Sequence, residues 1–215
     1  MFGNFDLQWF LFSMVALAIC FTIHEFAHAY SAYLAGDDTA KLAGRVSLNP
    51  IDHLDPMGTI MMVVSSLAGF GIGWGKPVPV NPHRLRNPRW GNLIVSLWGP
   101  LSNLLTAAVL GTVLRFALPA VAQNPTVLTV NIVLLLKAIV IVSLSLALFN
   151  VLPVPPLDGS HILAALLPYE SARRFEVFTA RYGMFLLLLL IVLPGDVFGR
   201  ILQPAVMAFY RLFVG

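Results

Sequence analysis

Of 215 residues, 58% are hydrophobic and only 11% are charged. A soluble domain carries about 25% charged residues, so the balance is that of a single multi-spanning membrane domain. The formal charge of +3 rests on arginines spread over short connectors, with no basic stripe and no interleaved aromatics, which excludes a nucleic-acid surface. A single cysteine, Cys20, excludes an intrachain disulfide and any structural zinc site that needs two or more cysteines.

The first element runs from Leu7 to Ala35, where Gly36 and the acidic pair Asp37 and Asp38 stop it. As a helix it is about 44 Å long, more than the ~30 Å hydrocarbon core of a bilayer. It reads as a retained segment and not a cleaved signal, because Asp6 stands where a basic flank belongs and the apolar run continues into FTIHEFAHAY (21–30). Residues 36–56 form a polar connector with turn signals at Asn49-Pro50 and Asp55-Pro56. Met57 to Ile72 is apolar but short, and 73–90 is rich in proline and arginine. Gly91 to Leu118 predicts a second long helix, kinked near Gly99-Pro100. Thr126 to Leu152 predicts a third, followed by the proline-broken NVLPVPPLDGSHIL (150–163) and a short helix after Asp158. Arg181 to Leu193 holds a fourth, marginal span, and 196–215 an amphipathic or partly inserted tail. VSLNPIDH (46–53) and VPVNPHRL (78–85) echo one another; both read as short strands or turns at the membrane surface.

Charge inside lipid is costly, so His24, Glu25 and His28 require a reason. Residues four apart share a helix face. His24 and His28 can therefore bind one metal ion with Glu25 beside them, the H-E-x-x-H arrangement in which the glutamate is general base toward the attacking water. Two satisfied core histidines are the plainer alternative. Three ionisable groups within five residues of a membrane helix nevertheless need the compensation that a metal supplies. A catalytic zinc takes three protein ligands and leaves one position open. His53, His83, His161 and several acids are candidates for the third. Asp158 is preferred, because Pro153, Pro155 and Pro156 break an apolar helix just before it, and broken backbone at membrane depth is tolerated only where it is buried in protein or lines a cavity. Gly159 permits close approach. His161 reads as a structural neighbour of the site, and Cys20 as a small buried apolar residue.

HEFAH (24–28 within FTIHEFAHAY), NVLPVPPLDG (150–159) and, between them, GPLSN (99–103) together resemble the site-2 protease family of intramembrane zinc metalloproteases. The resemblance covers roughly residues 7–165. It implies one zinc per chain held by His24, His28 and Asp158, with Glu25 as catalytic base. It further implies that Asn103 holds the substrate backbone near the metal, and Asn150 matches the first residue of the aspartate motif. The implied substrate is a membrane protein with a transmembrane helix, which must unwind before it is cut. KPVPV (76–80) suits an edge strand that would hold the opened peptide, Val78 and Val80 keeping their donors while Pro77 and Pro79 blunt the other edge. A surface loop of polyproline character is the equal alternative. No PDZ or CBS domain is expected in the chain, and the segment 57–90 is extra relative to compact family members.

The expected architecture is an all-α polytopic transmembrane bundle with a re-entrant segment at Met57–Ile72 and short membrane-associated β-strands. It forms one domain over 1–215, with a catalytic core at about 7–165 and C-terminal membrane helices at about 175–215. A re-entrant segment returns Asp158 to the side of His24. It also places Lys41, Arg45, Lys76, Arg84, Arg86, Arg89, Arg173, Arg174 and Arg181 on one face, and neither 1–6 nor 119–125 holds a Lys or Arg. Cytoplasmic loops carry that excess, so the N-terminus lies outside and the site opens toward the cytoplasm of a cell-membrane protein. The rival readings are a catalytically idle adaptor of the same fold and a metal-ion transporter. Nothing in the sequence sets the oligomeric state.

Overall fold

The computed structural model describes residues 6–67, 73–192 and 197–215. Helix α1 (Leu7–Leu34) starts where the Asp6 side chain accepts from the Trp9 N–H and ends before Gly36, whose φ of 108° belongs to the left-handed region. A short α2 (Thr39–Leu42) follows, then α3 (Pro56–Leu67). Helix α4 (Pro88–Gln123) begins earlier than the hydrophobic run, because Asn87 caps Trp90 N–H and Pro88 sits in the first turn, where its missing N–H costs nothing. Helix α5 (Val127–Asn150) opens on a reciprocal capping box between Thr126 and Thr129. Then come α6 (Asp158–Leu166), α7 (Tyr169–Val192) and α8 (Val197–Val214).

Among the described residues, α1, α4 and α5 are long and apolar enough to cross a membrane. Their 28, 36 and 24 residues correspond to about 42, 54 and 36 Å. One flank of α4 leaves Leu97, Leu101, Leu105, Val109, Val113 and Phe116 exposed, a contiguous apolar surface that lipid, not water, would cover. The protein is a multi-pass membrane protein. Helix α7 carries Glu170, Arg173, Arg174, Glu176 and Arg181 before its apolar part, which is confined to the end of the helix.

The core forms where α4, α5 and α8 meet, around Ala107, Leu114, Val140, Leu144, Val206 and Val214. A second cluster joins α1 to α5 through Ala16, Cys20, Ala138 and Ile139. Cys20 is a buried small residue there, its Sγ 3.0 Å from the Ser143 hydroxyl. Helix α6 packs on α4 and α7, which fixes Asp158 against the bundle.

The expected β-strands are not present: among the described residues the β-pairing is one isolated antiparallel bridge, Leu54 with Gly75. The physical reason lies in what occupies the backbone of 76–82. Pro77, Pro79 and Pro82 have no N–H to give. The carbonyls of Lys76 and Pro77 are taken by the Arg45 guanidinium, and the Asn81 N–H donates to Asp37 Oδ2 at 2.6 Å. The two echoed Asn-Pro pairs form turns. Asn49 and Asn81 each accept from the N–H two residues on, at 3.2 and 3.1 Å, and each opens a 3-10 turn, Pro50–Asp52 and Pro82–Arg84.

The same contacts bring the ends of segment 55–74 together. Besides the Leu54–Gly75 bridge, the Lys76 N–H donates to the His53 carbonyl at 2.8 Å, and Arg45 ties both neighbourhoods. Helix α3 has 12 residues, about 18 Å, too short to cross the hydrocarbon core alone. The remainder of the expected re-entrant segment, 68–72, lies outside the described residues.

Candidate metal centre

Three side chains from two elements converge on one point. Helix α1 supplies His24 and His28, one turn apart and both buried. Their Nε2 atoms lie 3.0 Å from each other. The N-terminus of α6 supplies Asp158, with Oδ2 3.1 Å from His24 Nε2 and Oδ1 3.3 Å from His28 Nε2. One donor atom from each of the three residues fits within 4.8 Å of the others.

Two glycines make this approach possible. A methyl group on Gly159 would stand 2.1 Å from the Val151 carbonyl oxygen and 2.4 Å from that of Leu152, so a side chain there would push α6 off the end of α5. A methyl group on Gly99 would stand 2.3 Å from His28 Nε2 and 2.7 Å from His24 Cε1, so α4 seats both imidazoles only because residue 99 has none.

Helix α4 also holds the rings from behind. His28 Nδ1 is 2.8 Å from the Val95 carbonyl oxygen. A carbonyl can only accept, so Nδ1 carries the proton and Nε2 of a neutral ring is left with its lone pair toward Asp158. Pro100 lacks the N–H that would bond the Ser96 carbonyl, so the ladder is already interrupted in this turn. Asn103 has no solvent exposure, and its amide Nδ2 is 3.1 Å from His24 Nδ1.

The donor set fits zinc. Two imidazole nitrogens and one carboxylate oxygen converge from three directions, and Asp158 Oδ2 is buried without a hydrogen bond despite its closeness to His24. Such a group leaves a cost that a cation would relieve. Glu25 sits on the same helix, buried, and among the described residues no hydrogen bond or ion pair engages its carboxylate. It is not one of the three converging donors.

The other candidates fall elsewhere. His53 is fully buried in the connector, between the Ser47 carbonyl and Arg45; His83 and His161 are exposed. Asn150 turns its amide back onto its own helix, donating to the Leu146 carbonyl at 2.9 Å. Val78 and Val80 are half-buried while Pro77 and Pro79 are exposed, so the alternation of KPVPV exists without a partner strand among the described residues. Val80 packs against the cluster that Ala32, Leu85 and Val95 form. Val95 itself was not legible from sequence as a site residue, since it acts through its main chain. The available signal was its place four residues before Gly99 and eight before Asn103, on one face of α4.

Known proteins of similar sequence carry metalloprotease names. The family model described as Peptidase family M50 matches residues 120–190, which include Asp158 but not HEFAH. The chain is 39% identical over 194 residues to "Putative zinc metalloprotease YwhC" of Bacillus subtilis, covering 90% of this chain and 85% of that protein. It is 30% identical over 181 residues to "Putative zinc metalloprotease Rip2" of Mycolicibacterium smegmatis, covering 83% of this chain and 65% of that one. The Rip2 protein of Mycobacterium tuberculosis strain H37Rv is 27% identical over 186 residues, 86% of this chain and 68% of that one. No solved structure matches the chain. Identity of 39% across nearly the whole length decides the kinship: the chain belongs to peptidase family M50, the site-2 proteases, which are intramembrane metalloproteases.

Proposed function

We propose that His24, His28 and Asp158 hold one zinc ion per chain, and that Glu25 is the general base for hydrolysis of peptide bonds in or near the transmembrane segments of membrane-protein substrates. The observation that carries this reading is the meeting of Asp158, from the start of α6, with two Nε2 atoms of α1 inside the bundle. What zinc supplies when bound is Lewis acidity toward water and toward the scissile carbonyl. The unengaged carboxylate of Glu25 takes the proton of the attacking water and passes it to the leaving amine. His28, tied to Val95, and His24, seated on Gly99, keep their rings oriented through the reaction.

The site opens toward the cytoplasm in this reading. Support comes from the joined ends of segment 55–74, which put connectors 36–56 and 73–90 on one side, together with the Lys/Arg excess in those connectors. The metal assignment is tested by metal analysis of purified protein. About one zinc per chain is expected in the parent, and a large loss in His24→Ala, His28→Ala and Asp158→Ala. Parental zinc in Asp158→Ala would remove the aspartate from the ligand set.

A further inference from the structure

The family resemblance gives Asn103 a role toward substrate. Its surroundings point to another. Val95, Gly99 and Asn103 follow one another at four-residue spacing and form one stripe of α4 against the two histidines. Val95 fixes the proton of His28 on Nδ1, Gly99 makes room for both rings, and Asn103 meets Nδ1 of His24 at 3.1 Å. The two imidazoles are thus held at corresponding atoms by the same helix face.

The amide orientation decides what His24 can do. With Nδ2 donating to Nδ1, the proton of a neutral ring sits on Nε2, the nitrogen 3.1 Å from Asp158 Oδ2, and blocks coordination by that nitrogen. In this orientation Asn103 Oδ1 is buried with no hydrogen bond. A half-turn of the amide brings Oδ1 to Nδ1, where it accepts the Nδ1–H and leaves Nε2 with a free lone pair. The half-turn leaves Nδ2 in place of Oδ1 without a partner among the described residues, and gives His24 the tautomer that His28 already owes to Val95.

We infer that Asn103 is a positioning residue: by accepting from Nδ1–H, its amide oxygen sets the tautomer and tilt of His24 and so raises the affinity of the three-ligand site for metal. This rests on the zinc reading above. Loss of such a hydrogen-bond partner of a ligating histidine costs about 10- to 100-fold in metal affinity.

The test uses the purified full-length chain, with zinc affinity measured by chelator competition and the ligand field read from cobalt(II) absorption bands. Asn103→Leu should weaken zinc binding by about 10- to 100-fold. Asn103→Asp, which can only accept, should bind zinc at least as tightly as the parent and shift the cobalt bands, because a carboxylate makes His24 a more basic ligand. Parental zinc affinity in Asn103→Leu and unshifted bands in Asn103→Asp, with any defect confined to cleavage, would overturn the inference and return Asn103 to substrate binding alone. If Asn103→Leu does not fold, the Asn103→Asp bands decide. The zinc reading fails separately, and visibly, if the parent takes up no metal or if His24→Ala binds it as well as the parent.

Discussion

His28 Nδ1 lies 2.8 Å from the main-chain carbonyl of Val95, so this histidine of α1 is oriented by the backbone of α4. Because a carbonyl has no side chain to mutate, the dependence of the site on α4 is best probed one turn on. Gly99→Ala places a methyl 2.3 Å from His28 Nε2, far inside contact distance. Alanine is a better helix residue than glycine by about 1 kcal/mol, so α4 itself should persist. Zinc affinity should fall at least tenfold, about 1.4 kcal/mol, and cleavage with it. Gly159→Ala, whose methyl meets main-chain oxygens that cannot swing away, should act likewise by displacing Asp158. Metal analysis of both purified variants checks this.

The joined ends of 55–74 predict a labelling pattern. In a Cys20→Ser background, single cysteines at the exposed Ile51 and His83 should react with a membrane-impermeant reagent from the same side, and one at Gln123 only from the other. Labelling of positions 51 and 83 from opposite faces would place a full crossing between them.

Asp37 anchors the connector after α1, and its chemistry gives a pH signature. Burial pushes its carboxyl pKa up, but the Thr39 hydroxyl, the Asn81 and Thr39 N–H groups and the Arg84 charge outweigh this and hold it below the usual range. A folded pKa below the unfolded value of about 3.9 stabilises the protein fully above that value and loses the effect as pH falls through the folded pKa. Asp37→Asn should cost about 2 kcal/mol near neutral pH. The gap between parent and variant in thermal unfolding should be flat from pH 7 to about pH 5 and close at lower pH. A gap that widens on acidification would be the wrong sign.

Substrate helices should be cut fastest where they are weakest. Opening a helix in lipid exposes backbone groups at several kcal/mol each, and Gly, Pro or Asn near the cut weakens the helix beforehand. A reporter with an all-Leu transmembrane segment should be a poor substrate, and Gly or Pro introduced near the cut should speed cleavage. Gel-based cleavage rates of the two reporters compare them directly; equal rates would show that helix opening does not limit the reaction.

Much of the fold was legible because long apolar runs leave little choice. Leu7–Ala35 and Thr126–Leu152 match α1 and α5 to within two residues at each end. The four-residue spacing in HEFAH places both imidazoles on one face by helix arithmetic. The start of α7 at Tyr169 was hidden by its charged first half, which looks like a connector until Glu170, Arg173 and Arg174 are seen on an exposed helix surface. The strand expected at KPVPV failed for a non-local reason: Arg45, more than thirty positions away, takes the carbonyls on which pairing would depend. The orientation of His28 by Val95 was illegible for a related reason, since a backbone carbonyl has no residue-type signature.

The most direct measurement is made on Glu25→Gln. This substitution removes the proposed base and leaves His24, His28 and Asp158 in place. Zinc per chain and cleavage of a transmembrane reporter should be measured on the same preparation. About one zinc per chain with cleavage abolished is the expected result. Cleavage at the parental rate by zinc-loaded Glu25→Gln protein would contradict it.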